Sequence, residues 1–229
     1  MSRMPDLHSL LGALQHADSF FPSGSVAFSS GLETLHADRE VTSAEQLASL
    51  VEGQLLHRWA SFDAVALVAA FRTRERLEEV SGIDRLVEAM SLAAELREGS
   101  KRAGASLLAV HVRLGTAGAT GYRDLIDRKQ AWGHLPVVQG ILWGATGMTE
   151  DACRAVSAHT FCTGLVSAAL RLGMIGHLDA QRVLLRVRPL LAGLLRSPPG
   201  AVECMSAYCP AVEIAAMRHE VQDSRFFAN

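Results

Sequence analysis

The sequence predicts an all-α protein folded as a single domain of roughly nine or ten helices. Three observations carry that prediction. Apolar residues recur at helical spacing along nearly the whole chain, with no Asn-Gly hairpin and no sustained period-two alternation. Of the 229 residues 49% are hydrophobic but only 6% aromatic, so the core must be built from many small and branched side chains, which suits closely packed helices. The one flexible low-complexity stretch, Gly115 to Gly121, is too short to link independent domains and reads as a loop.

Each element has a local reason. Pro5-Asp6 offers a cap, after which Leu7, Leu10, Leu11 and Leu14 fall on one helical face. Phe20-Phe21-Pro22-Ser23-Gly24 breaks that helix, and a short second one is expected to end near Ala37. Thr42 with Glu45 forms a capping box for a third, which carries Leu47, Leu50, Val51 and Leu55. The pattern continues over Phe62 to Arg72, Ile83 to Leu96 and Ser100 to Leu114, and resumes from Pro136 to Thr146. Thr149 to Leu172 is apolar on most faces, as a central buried helix is. Leu178 to Arg196 follows, with Pro189 as its point of bending, and Ser197-Pro-Pro-Gly200 ends it. Pro210 suits the first turn of the last helix.

A formal charge of −2 leaves no electrostatic footprint for nucleic acid or an anionic membrane. The longest uncharged run, Gln130 to Thr149, matches a membrane span in length but contains His134, Pro136 and several glycines, against a spanning role. The amino terminus lacks the apolar core and cleavage site of a secretory signal, so the expected location is the cytoplasm. Cys153, Cys162, Cys204 and Cys209 then read as reduced thiols in a chain too large to need staples.

Catalytic signatures are missing. The chain has no Walker A motif, no GxGxxG, no HExxH and no GxSxG. His159 and Cys162 stand one helical turn apart, and Cys204 and Cys209 lie five apart near Glu203; these four are the candidate metal ligands, against an ordinary packing role for each.

Two segments look built for contact. Pro22 to Glu33 is dense in serine and glycine, permitting close backbone approach, with Phe28 as a possible anchor; the alternative is a turn and helix cap. The last twenty residues mix Met217, Phe226 and Phe227 with Arg218, His219 and Arg225, residue types enriched at interfaces, the alternative being a last helix folded onto its own core.

Several segments together resemble one family, the urease accessory protein UreF. The resemblance runs through Leu10 to Gln15, Asp18 to Gly24 and Phe28-Ser29-Ser30-Gly31-Leu32-Glu33. It continues through Glu95-Leu-Arg97, Gly104, Leu107-Leu108 and His134 to Gly140, and closes with Glu213 to Glu220 and Ser224-Arg225-Phe226-Phe227. It spans essentially the whole chain, and the carboxy-terminal block is its most specific part. Phe28 stands where tyrosine or histidine is common, and Gly24 is followed by Ser25 where glycine or alanine is usual.

The resemblance implies a dimerising all-α protein without catalytic activity that joins a UreD/UreH-type scaffold and the GTPase UreG to help place nickel, with carbon dioxide as carbamate, in apo-urease. Nickel and GTP would be handled through partners, with no tightly bound cofactor in this chain. The expected partner-binding residues are Phe28, Ser29, Gly31, Glu33, Arg218, His219, Glu220, Ser224, Arg225 and Phe226, with 218–229 as a docking tail. The alternatives from other classes are a nickel-carrying metallochaperone using His159, Cys162, Cys204 or Cys209, or a small hydrolase.

Overall fold

The computed structural model describes residues 6–22, 28–220 and 226–227. Among these residues there is no strand. Eleven α-helical segments follow in order: α1 Leu7–Ala17, α2 Leu32–Ala37, α3 Ala44–Gln54, α4 Ala64–Thr73, α5 Leu77–Met90, α6 Ala94–Arg113, α7 Ala119–Asp127, α8 Leu135–Ala145, α9 Glu150–Arg171, α10 His177–Arg196 and α11 Pro210–His219. A π-helical segment, Leu55–Asp63, joins α3 to α4 without a break, so the eleven segments make ten rods.

Two hydrophobic clusters form the interior. The first gathers Phe62, Val65, Tyr122, Ile141, Leu142, Trp143 and their neighbours. The second gathers Leu32, Leu47, Trp59, Leu165, Val183, Val212 and Phe227 with theirs. The α3–π–α4 rod and α9 contribute to both and tie the clusters into one body. Where α8 crosses α4 the backbones nearly touch, because a Cβ on Gly140 would lie 2.3 Å from Leu67 O. Only glycine fits there.

The π-helical ladder has a positional consequence. His57 O and Ser61 O each accept a bond from outside the helix, from Tyr208 N at 2.9 Å and Ser206 N at 3.0 Å. These bonds pin the connection that leads into α11. Further on, Asp84 accepts from the backbone N–H groups of Gly133 at 2.8 Å and His134 at 3.0 Å, fixing the entry to α8. His134 Nε2 lies 2.8 Å from Glu88 Oε2, and Arg97 and Lys101 meet the same carboxylate. The Glu-Leu-Arg and His-Leu-Pro segments are therefore joined through Glu88.

Several boundaries differ from the sequence expectation, each for a physical reason. The cap of α3 is Ser43, whose Oγ accepts from Gln46 N while Gln46 Oε1 accepts from Thr42 N, so the capping pair is one residue further on than Thr42 and Glu45. The break expected after Leu96 falls at Ser91–Ala93 instead, and α6 runs through Gly99-Ser100. The end of the 115–121 loop already belongs to α7. Pro189 lies inside α10, which continues to Arg196; the carbonyl left without its amide belongs to Leu185, on the solvent side.

The leucine stripe of α1 faces outward. Leu7, Leu10, Leu11 and Leu14 are 41–66% exposed, because α1 is fastened to the body by its opposite side. There Ser9 Oγ accepts from Thr149 N at 2.9 Å, and His8 Nε2 meets Thr146 O at 3.1 Å.

Candidate partner-docking site

The two segments singled out from sequence meet in space. Residues 29–33 form a tight turn into α2, with Ser30 at φ 50° and Gly31 at φ 81°, and Leu32 N donates to Ser29 O at 3.0 Å. A Cβ on Gly31 would stand 2.9 Å from Val212 O of α11, so this glycine serves both the left-handed turn and the close approach of the two elements. Ser29 is wholly buried beside it.

Glu33, in the first turn of α2, organises the junction. Its Oε2 lies 2.9 Å from His219 Nε2 and accepts Phe227 N–H at 3.2 Å, and its Oε1 accepts Phe226 N–H at 2.6 Å. His219 has no exposed surface, and its Nδ1 lies 2.6 Å from Glu95 Oε1 on α6. One imidazole thus bridges the carboxylates of two other helices. The hydrogen bond to Glu33 holds this buried ring, and with it the end of α11.

Around this clasp the remaining side chains divide by exposure. Phe227 is 4% exposed, packed in the second cluster with the Arg171 guanidinium 4.2 Å from its ring centroid. Phe226 next to it is 81% exposed. Ile214 and Met217 also face solvent on α11. Arg218 makes a bidentate pair with Asp38 at 2.5 and 3.1 Å while remaining half exposed, and Glu220 closes the helix as its C-cap. Ser224 and Arg225 lie outside the described residues.

Phe28 marks the other edge of the site. Its ring lies against α6, where a Cβ on Gly99 would come 3.3 Å from Phe28 Cδ1, and Arg102 reaches over it at 6.0 Å from the centroid. Gly99, which lies between the two helical spans expected from sequence, is the groove that receives this ring. Behind Phe28 lies a half-open cavity of about 180 Å³, lined by Arg58, Asp63, Glu95, Gln139 and Glu213 among others. Burial pushes the Asp63 carboxyl up, and the neighbouring Arg58 guanidinium, 3.3 Å away, opposes that rise.

The four candidate metal ligands do not converge. His159 is exposed on α9, whereas Cys162 one turn on is buried in the second cluster. Burial drives the Cys162 and Cys153 thiols up to about 12, which disfavours the thiolate a metal needs. Cys204 is exposed, Cys209 half-buried with its thiol also raised by burial. Among the described residues no three His, Cys, Asp or Glu side chains gather at one place, so none of these four belongs to a site whose ligands all come from the protein. Nor is any described helix long and apolar enough to cross a membrane.

The sequence marked both halves of the junction but not Glu95, which stands against His219 from the Glu-Leu-Arg segment. Two acids and one histidine in three separate motifs were the available signal.

Comparison with known proteins shows the family. The UreF family model matches residues 41–188. The curated urease accessory protein UreF of Kocuria rhizophila is 33% identical over 97% of this chain and 98% of its own length. That of Bacillus sp. (strain TB-90) is 31% identical over 96% and 99%, and that of Trichodesmium erythraeum 30% over 98% of each. With near-complete coverage on both sides, and with the motifs meeting at one buried junction, the chain belongs to the UreF family of urease accessory proteins.

Proposed function

We propose that this chain is a non-catalytic adaptor that bridges a UreD/UreH-type scaffold and the GTPase UreG, so that nickel, with carbon dioxide as carbamate, is delivered to apo-urease. The observation that carries the reading is the Glu33 clasp: it binds the Phe28–Glu33 turn to the end of α11 and leaves Phe226 exposed, as Ile214 and Met217 on α11 are. An aromatic ring held in place by its own backbone bond loses little entropy on binding, which is what an interface anchor needs. Coupling of nucleotide state to metal release then requires only that the partners order one another across this surface. GTP binding belongs to the partner.

The same reading includes a homodimer. The outward leucine stripe of α1 supplies an apolar, self-complementary face for a second copy, since between Leu7 and Ala17 the helix carries no acidic, lysine or arginine side chain.

Co-purification of the chain with tagged scaffold and GTPase tests the adaptor reading. Phe226→Ala is expected to lower capture of both without changing the melting temperature, and urease matured with that variant to contain less nickel. Full capture by the variant would remove Phe226 from the interface, and micromolar GTP binding by the isolated chain would remove the adaptor assignment itself.

A further inference from the structure

His16 at the end of α1 and His111 on α6, 95 residues apart in sequence, bring their Nε2 atoms to 3.3 Å from one another. The two rings lie within 10° of parallel with centroids 5.3 Å apart. His111 is fully buried and His16 nearly so, yet His16 also lines the half-open cavity behind Phe28. We propose that this pair is a labile site for a divalent transition-metal cation of the zinc and nickel kind, bound by both Nε2 atoms and completed by water from the cavity.

The spacing is the first argument. Two imidazole nitrogens bound to one tetrahedral ion at about 2.0–2.1 Å each stand roughly 3.3–3.4 Å apart, the separation found here. As a direct N–H···N hydrogen bond the same 3.3 Å is long, so displacing the shared proton with a cation sacrifices a weak contact.

The outer atoms of the two rings supply the second argument. His16 Nδ1 lies 2.8 Å from Gly12 O, which can only accept, so Nδ1 carries the proton and Nε2 of the neutral ring presents a lone pair. His111 Nδ1 lies 2.9 Å from Thr116 Oγ1, which can accept in the same sense. A histidine that ligates through one nitrogen and donates from the other to a carbonyl or hydroxyl is the usual outer arrangement of a metal site. The ring planes stand this way before any ion arrives; binding asks only that His111 pass from its Nε2–H tautomer, which shares the proton with His16 Nε2, to the Nδ1–H tautomer, which donates to Thr116 Oγ1.

The third argument is access and strength. With no third His, Cys, Asp or Glu gathered there among the described residues, water must fill the remaining positions, and the cavity wall on which His16 sits is where it would come from. Two neutral ligands leave the ion its full charge in a partly desolvated place. Binding is therefore weak and exchange fast, with a dissociation constant on the order of 10–100 μM. The site is independent of the adaptor reading, because the isolated chain suffices to test it.

The test is a titration of zinc chloride into the isotopically labelled chain, following the ring nitrogens of all histidines by NMR. The Nε2 signals of His16 and His111 are expected to move together and saturate at one equivalent, ahead of the exposed His57, His159 and His177, and nickel chloride should compete. His16→Gln and His111→Gln should each weaken zinc binding by about tenfold or more. If both Nε2 signals stay unchanged while zinc fills other histidines, or if a folded Gln variant binds as tightly as the parent, the site does not exist. Should either variant fail to fold, the wild-type ring-nitrogen titration decides alone.

Discussion

Glu33 and His219, 186 residues apart in sequence, are joined at 2.9 Å in a contact from which the imidazole is wholly shielded from solvent. The pair closes α2 onto α11. Removing one partner of a buried, hydrogen-bonded pair leaves the other unsatisfied in a place that water does not reach, which typically costs about 3–5 kcal/mol. Because Glu95 still stands beside His219, the lower end of that range is expected for Glu33→Ala. Thermal melts of Glu33→Ala, His219→Ala and the double variant form the check. Losses that simply add across the cycle would show that the two side chains do not act as a unit.

Adjacent phenylalanines at the chain end should behave oppositely. Phe227→Ala opens a hole in the second cluster and removes the ring beneath Arg171, for an expected loss of about 3 kcal/mol in stability. Phe226→Ala removes an exposed ring and should leave stability within roughly 0.5 kcal/mol of the parent. Chemical denaturation reads both. For the same reason a truncation meant to probe docking should not begin at Arg218, since it would take away the buried His219 and Phe227 and report on folding.

Gly31 and Gly53 offer a controlled comparison of backbone demands. At Gly31 an added Cβ meets Val212 O at 2.9 Å in a left-handed conformation, so Gly31→Ala should destabilise by about 1–3 kcal/mol. At Gly53, inside α3, a Cβ meets nothing within 4 Å, and alanine there should stabilise by roughly 0.5–1 kcal/mol. Equal effects at the two positions would mean that the turn into α2 rearranges freely.

Most of the helices were legible because their apolar spacing is a local property of the chain; α7, only nine residues long behind a glycine-rich loop, was not. The ends were less so, and for reasons that particular residues make plain. Ser43 outcompetes Thr42 as a cap because Gln46 can bond back to it, a choice between two adjacent good caps that the sequence leaves open. Gly99 falls between two helical spans expected from sequence until Phe28, some seventy positions earlier, is seen to lie against it. The site was legible as two motifs and illegible as a junction, because the bonds from Glu33 to His219, Phe226 and Phe227 are long-range. The stripe of α1 shows the converse. Its period told correctly that the four leucines share a face, but period alone does not say whether that face meets the core or another surface.

Thiol chemistry separates the four cysteines. Burial raises Cys153 and Cys162 to about 12, so near pH 8 almost no thiolate forms at either, whereas Cys204 is exposed. Titration of the native chain with a chromogenic disulfide at pH 8 should therefore modify Cys204 rapidly, Cys209 more slowly, and Cys153 and Cys162 only after denaturant is added. Rapid labelling of Cys162 in the folded protein would revive it as a metal ligand and weaken the assignment of the four cysteines to packing and surface positions.

The α1 stripe makes the most direct prediction about assembly. Leu7, Leu10, Leu11 and Leu14 are 57%, 41%, 66% and 60% exposed, and Phe20 just beyond the helix is 93% exposed. Large apolar side chains exposed together on one helix face mark a surface that associates. The helix cannot turn this face inward without breaking the bonds of Ser9 and His8 to the start of α9 and the end of α8. A charge at its centre should therefore block association and spare the fold: Leu11→Asp is expected to convert a dimer to a monomer by light scattering, with an unchanged far-ultraviolet circular dichroism spectrum. Leu114→Asp, at a leucine that is 63% exposed at the end of α6, serves as the control and should leave the dimer intact. If Leu11→Asp remains dimeric across the micromolar range, the copies meet elsewhere and the stripe belongs to another partner.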